Sequence, residues 1–211
     1  MNNNQFYLVE YEPGAKGCPY FLSGNFNIEE YEWEINDPGT YDIEMNQEYI
    51  FDVTDYSLGE LCFDLYNPEN TPHVSEAFIE LCEYFQVKFR AIPLTIRLRG
   101  SDFTKKNYSL FLPYQHESLL CREQSEFCEE IIIETGEAMM HRYFPATPIY
   151  AWIKRFSVVP TEAHLFRCLE LGQLVASQLF RDEALRRNLQ GIRFTPIDDT
   201  FIYDPWGDIG A

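Results

Sequence analysis

The chain has 211 residues, with 34 acidic against 16 basic side chains and a formal net charge of −18. That length makes one large domain or two small lobes, and 45% hydrophobic residues supply enough apolar surface for a core, so acidity here does not mean disorder. The charge argues against nucleic acid or an anionic membrane as partner, since both are polyanions. No apolar run reaches the roughly 18 residues of a membrane span. The opening MNNNQFYLVEYEPG has neither the basic nor the apolar region of a signal peptide, so the expected location is the cytoplasm.

In chain order, Gln5–Tyr11 reads as an opening strand closed by Pro13-Gly14. Glu30-Tyr31-Glu32-Trp33-Glu34-Ile35 alternates strictly, which predicts a strand with Tyr31, Trp33 and Ile35 on one face and glutamates on the other. Asn36-Asp37-Pro38-Gly39 signals a turn, and Tyr49–Val53 and Gly59–Leu65 read as short strands. A loop over Pro68–Pro72 leads to a helix over about 75–86. Ser75 is its N-cap, and Phe78, Leu81, Cys82 and Phe85 share one face. Leu94–Leu98 alternates, Gly100-Ser101 turns the chain, and Tyr108–Leu112, Phe127–Glu134 and Ile149–Val159 read as further strands.

His164–Glu170 predicts a strand and 174–189 a second helix, with Val175, Leu179, Phe180 and Leu185 as its apolar face and Gly191 as its C-terminal glycine. Ile192–Ile197 returns as a strand, followed by an aromatic, aspartate-rich tail over Asp198–Ala211. Val74–Ile92 and Val175–Pro196 echo one another, each a helix followed by a strand containing Phe and Pro. The expected class is α+β. It is a mostly antiparallel sheet, drawn mainly from residues 93–170, with a few packed helices.

The charge is uneven. Residues 1–90 carry 18 acidic side chains against Lys16, Lys88 and Arg90, a net of −15, whereas residues 91–211 carry only −3. This divides the chain into an acidic N-terminal lobe, 1–90, and a strand-rich C-terminal lobe, 91–211, sharing one core. The densest stretch holds Glu29, Glu30, Glu32, Glu34, Asp37, Asp42, Glu44 and Glu48 without a basic residue. One reading is an ordinary amphipathic strand with an acidic polar face. The other is a docking surface for a basic protein partner, made by Glu29, Glu30, Glu32, Glu34, Asp37, Asp42 and Glu44 with Tyr31 or Trp33 as aromatic anchor.

Little in the sequence points to catalysis. His73, His116, His141 and His164 are scattered, and no nucleophile elbow, phosphate-binding loop or dinucleotide fingerprint is present. Six dispersed cysteines form no C-x-x-C pair. Cys62, Cys82, Cys128 and Cys168 sit in apolar patterns and read as buried free thiols. The expectation is a non-enzyme with no cofactor and no metal.

Several landmarks carry a resemblance. They are the Ser75 helix feeding Phe89–Pro93, the strand Tyr108–Pro113 and the turn around Glu117–Ser125. Leu165-Phe166-Arg167, Val175-Ala176-Ser177 and Gly191-Ile192-Arg193-Phe194 complete the set. Over about residues 75–197 the chain resembles family eleven of the bacterial immunity proteins of polymorphic toxin systems, although Cys121-Arg122-Glu123 stands where members often carry an Asp. The resemblance implies a cytosolic protein that binds a cognate toxin or effector and blocks it. The alternative carried beside it is an acidic adaptor domain for a basic cellular partner.

Overall fold

A computed structural model describes residues 5–55, 57–67, 71–98 and 102–207. The turn expected at Gly100-Ser101, part of the Pro68–Pro72 loop and the end of the tail lie outside them. In chain order the strands begin with β1 (Phe6–Tyr11), β2 (Gly24–Phe26), β3 (Tyr49–Val53), β4 (Leu65–Tyr66) and β5 (His73–Ser75). After helix α1 (Glu76–Tyr84) come β6 (Phe89–Leu98), β7 (Asp102–Phe103), β8 (Tyr108–Pro113), β9 (His116–Glu117), β10 (Glu126–Glu129) and β11 (Tyr150–Arg155). The rest is β12 (Leu165–Cys168), β13 (Gln173–Ser177), helix α2 (Gln178–Arg186) and β14 (Ile192–Ile197). The class is α+β, dominated by sheet.

Two main sheets form. One runs β14-β1-β13-β12-β9; the other runs β2-β3-β6-β8-β5-β4, with β7 on β6; β10 and β11 make a separate ribbon. Pairing is antiparallel except for β3 with β6 and β9 with β12. Both sheets mix strands from either side of Arg90, because β1 pairs β13 and β14 while β3 pairs β6. The acidic part of the chain is therefore woven into the scaffold, and strands come from well outside 93–170.

Alternation along the strands sorts side chains into three apolar layers. Val9, Leu165, Leu174 and Ala176 from one sheet, with Val74 and Phe111 from the other, enclose α1 and α2 in a central layer. Ile92, Leu94, Ile96, Leu110 and Leu112 face outward under a cover that includes Leu22, Trp33 and Tyr41. On the opposite outer face Phe6, Leu8, Phe166 and Val175 lie under a cover from residues 119–163.

The echo between the halves is structural. In each, a strand pairs the strand that opens a helix: Leu65 with Val74, Leu165 with Ala176. The opening strand ends in a serine, Ser75 or Ser177, whose hydroxyl accepts the N–H of Phe78 or Phe180 and caps the helix. Each nine-residue helix ends in a left-handed residue, Gln86 (φ 54°) or Asn188 (φ 57°). In both, the next N–H bonds five positions back, Val87 to Cys82 and Leu189 to Ala184, as in a Schellman close. The equivalent rings Phe78 and Phe180 meet at 6.0 Å. One strand breaks the parallel: β8, which follows β6 after the short β7, lies between β5 and β6, whereas β1 lies between β13 and β14.

Three expectations need correction. The second helix begins at Gln178, because Leu174–Ser177 pairs with β12 and β1 as strand; Phe180 and Ala184 are buried, while Leu179 and Leu185 are about half exposed. Its left-handed close is Asn188 rather than Gly191. Gly191 (φ 73°) instead packs against Phe63, Tyr11 and Cys18, where a Cβ would stand 3.0 Å from the Phe63 side chain. Cys128 is exposed, since Phe127 takes the inward position on β10 and packs against Tyr150, whereas Cys82 and Cys168 are fully buried. Replacing Gln86 with glycine removes the cost of a left-handed residue with a Cβ. It should raise stability by about 0.5–1 kcal/mol, read as a higher urea midpoint at unchanged slope.

Candidate interaction surface

Residues 27–48 cross the outer face of the second sheet as a strap. The strand expected over Glu30–Ile35 does not form; the segment is turns and bends. Asn27 explains the departure. Its N–H donates to Ile50 O and its Oδ1 accepts from Ile50 N, so it takes the backbone groups that a further strand residue would use. The chain is thereby turned off the sheet edge and over its face.

The alternation is met by packing instead of pairing. Trp33 is 5% exposed and stacks on half-buried Tyr31 at 4.6 Å, with Tyr49 5.3 Å from Trp33. Trp33 is thus a core residue of the strap, not a surface anchor. Glu32 is a staple. Its carboxylate accepts from Tyr49 Oη at 2.7 Å and from Asn46 N at 3.0 Å, and these bonds hold its pKa below the usual carboxylate range. Burial, then the Glu32 carboxylate, pushes the Tyr49 phenol up to about 12. Asp37 caps the short 3₁₀ turn Pro38–Thr40 through Gly39 N.

Cross-ties fix the strap to both sheets. Arg90 of β6 donates to the carbonyls of Tyr41 and Ile43, Tyr114 donates to the Asp42 carboxylate, and Arg167 of β12 donates to Asn36 Oδ1 at 3.1 Å. Glu29, Glu30, Glu34, Asp42, Glu44 and Glu48 are exposed, and among the described residues none of them forms an ion pair. Of the nine residues singled out from sequence, five therefore face solvent as carboxylates: Glu29, Glu30, Glu34, Asp42 and Glu44. Glu32, Asp37, Tyr31 and Trp33 build the strap beneath them.

A second exposed feature carried no sequence signal beyond the unbroken run Ile131-Ile132-Ile133. Residues 130–149 form an arm tied by bridges Ile131 to Ala138 and Met140 to Pro148. Ile131, Ile133, Met139, Met140 and Ile149 are exposed on it, Ile133 at 91%. The arm packs back on β9. Phe144 stacks on His116 at 4.9 Å, and burial followed by the Arg167 charge holds His141 below its ordinary pKa. The same two influences, against one bond to Tyr114 O, hold His116 down at about 4.

Among the described residues no group of three or more His, Cys, Asp or Glu is placed to hold a metal ion, and no helix is long and apolar enough to cross a membrane. No family model matches the chain, and no curated protein matches it.

Proposed function

We propose that the protein is an immunity-type binder that docks a basic toxin or effector protein on the strap and neutralises it. The carrying observation is a surface tied to both sheets, with six outward carboxylates and no compensating cation in its own segment. Solvated surfaces ordinarily intersperse both signs. A fixed field of one sign raises the encounter rate with an opposite face, and desolvated anchors then set the lifetime of the complex. The apolar arm supplies side chains suited to that second task, because exposed contiguous apolar surface marks interaction sites.

The testing experiment is co-expression with the product of the adjacent gene. A toxin there that co-purifies with this chain and loses toxicity supports the reading; a neighbourhood without a toxin gene, or a toxin that neither binds nor is neutralised, overturns it. The charge effect is tested separately. Reversing Glu29, Glu30 and Glu34 to Lys should slow association roughly tenfold or more at low salt, with dissociation little changed, in a surface-plasmon experiment. Glu32 is left untouched because it staples the strap.

A further inference from the structure

β6 runs on past the start of its neighbour β3, and the backbone there is open. Tyr114 N donates to Lys88 O at 3.0 Å, while Phe111 N turns away from β6 to Pro72 O at 2.9 Å. Phe89 stands opposite Pro113 and Ala91 opposite Phe111, so Arg90 and Ile92 bond β8 and the residues between them point the other way. Phe89, Ala91 and Pro93 therefore aim their backbone groups toward the β3 side. β3 does not reach them: its first residue, Tyr49, stands opposite Leu94. Among the described residues no hydrogen bond reaches the N–H or C=O of Phe89 or Ala91 from that side.

Beside these groups lies an open slot of about 480 Å³, walled by β6 and by Met45, Gln47, Glu48 and Tyr49 at the end of the strap. β3 cannot extend into it. Asn27 Nδ2 holds Glu48 O at 2.8 Å and the Glu32 carboxylate holds Asn46 N, so the chain before Tyr49 is pinned to the strap. Glu48 is exposed and forms no ion pair among the described residues. Arg90, the other charged residue of the slot, engages the carbonyls of Tyr41 and Ile43.

We propose that this slot takes an extended segment of a partner protein that carries lysine or arginine, added beside Phe89–Pro93 as a strand in line with β3. It offers two N–H and two C=O groups at strand spacing, which another extended backbone meets in register. A helix has used its own backbone groups, and an apolar small molecule would cover all four unpaired. The free carboxylates of Glu44 and Glu48 favour a cationic segment over an acidic one. Pro93, with no N–H, bounds the slot, so the grip is a few residues long and the edge does not template sheet growth between copies.

The choice of partner rests on the toxin-binding reading, but the test uses this protein alone, so the two fail separately. Acetyl-Lys-Val-Lys-Val-Lys-amide is titrated into isotopically labelled protein and followed by NMR. One control is the same peptide N-methylated at its three central residues; the other replaces each lysine with glutamate. The expected result is saturable shifts of the Phe89 and Ala91 amides, with both controls weaker by roughly tenfold or more. In the free protein those amides should exchange with solvent roughly a hundredfold faster than Ile92 N–H, and the basic peptide should slow them.

Ala91→Pro deletes a donor that the free protein does not use, at a position oriented like Pro93. The urea midpoint should hold while peptide affinity falls roughly tenfold. Should that variant unfold, the N-methylated peptide makes the same comparison on the parent protein. Slow exchange of the Ala91 amide in the free protein, no shift at about 5 mM peptide, equal affinity for either control, or full affinity in a folded Ala91→Pro overturns the proposal.

Discussion

Replacing Asp64 with alanine should cost about 3–5 kcal/mol, measured as the loss of unfolding free energy in urea. Asp64 is 2% exposed and ties four elements together. Its Oδ1 accepts from the Ser75 hydroxyl that caps α1 and from Lys106 Nζ at 2.6 Å, and its Oδ2 accepts from Gln190 N at 2.6 Å in the turn between α2 and β14. Its backbone joins the same turn and β5, with Asp64 N bonding Gln190 O and Asp64 O accepting from Ser75 N. Truncation strands the Lys106 charge, which keeps the Cys62 carbonyl at 2.6 Å, and takes the acceptor from the buried Ser75 hydroxyl and the half-buried Gln190 N–H. Lys106 is a third exposed, so water relieves part of its loss and the lower end of the range is expected. Adding Lys106→Met should recover part of the cost, because the pair fails as a unit. A loss below about 1 kcal/mol for Asp64→Ala would show that water already competes at this junction.

Acid should destabilise the protein through His73. Burial lowers its pKa from 6.5 to about 3. Below pH 6.5 the unfolded chain takes up this proton while the folded chain does not, so stability present above 6.5 is lost progressively as the pH falls toward 3. The slope is about 1.4 kcal/mol per pH unit for one such group. Between pH 6.5 and 4.5 most carboxylates remain ionised, so urea midpoints in that window isolate the histidines. His116, held at about 4, adds in the same direction. His73→Leu should remove one proton's worth of slope and also raise stability at neutral pH, because an unpaired buried ring is replaced by an apolar one. An unchanged slope in that variant would mean that His73 is protonated in the folded state.

Legibility in the sequence followed local rules where these acted alone. Ser75 before Phe78, Leu81 and Cys82 identified α1, and the apolar run before Pro13-Gly14 and the segment Ile192–Ile197 after the second helix identified two strands, which pair with each other. The same serine signal at Ser177 was obscured, because Leu174, Val175 and Ala176 continue the apolar spacing of a helix while their backbone is claimed by two neighbouring strands. Period alone cannot register that competition. The strap failed for the opposite reason: Glu30–Ile35 has a strand's alternation, but Asn27 diverts the backbone, and its rings pack on Tyr49 of the sheet.

Charge on the surface was readable, since carboxylates without cations remain carboxylates in any fold. Which of them bear structure was not, because Glu32 and Asp37 are distinguished from Glu30 and Glu34 only by their partners Asn46, Tyr49 and Gly39. The edge slot was invisible. It exists because β3 starts at Tyr49, opposite Leu94, and neither segment encodes that register alone.

The exchanged strand has a kinetic consequence. The β4-β5-α1-β6-β8 unit closes from nearby segments, and Phe89 finds Pro113 within the same stretch of chain. Its counterpart cannot close locally, because β1 must join β13 and β14 from the far end of the chain; Gln5 bonds the carbonyl of Ile197, 192 positions away. Loop-closure entropy rises with that separation, and such distant pairings slow folding. On a ribosome, β1 is made before either of its partners and keeps both edges unpaired until β13, and one edge until β14, has been synthesised. The first unit is thus the natural nucleus, and the nascent chain carries an apolar strand in waiting, open to chaperone capture or misassociation for most of its synthesis.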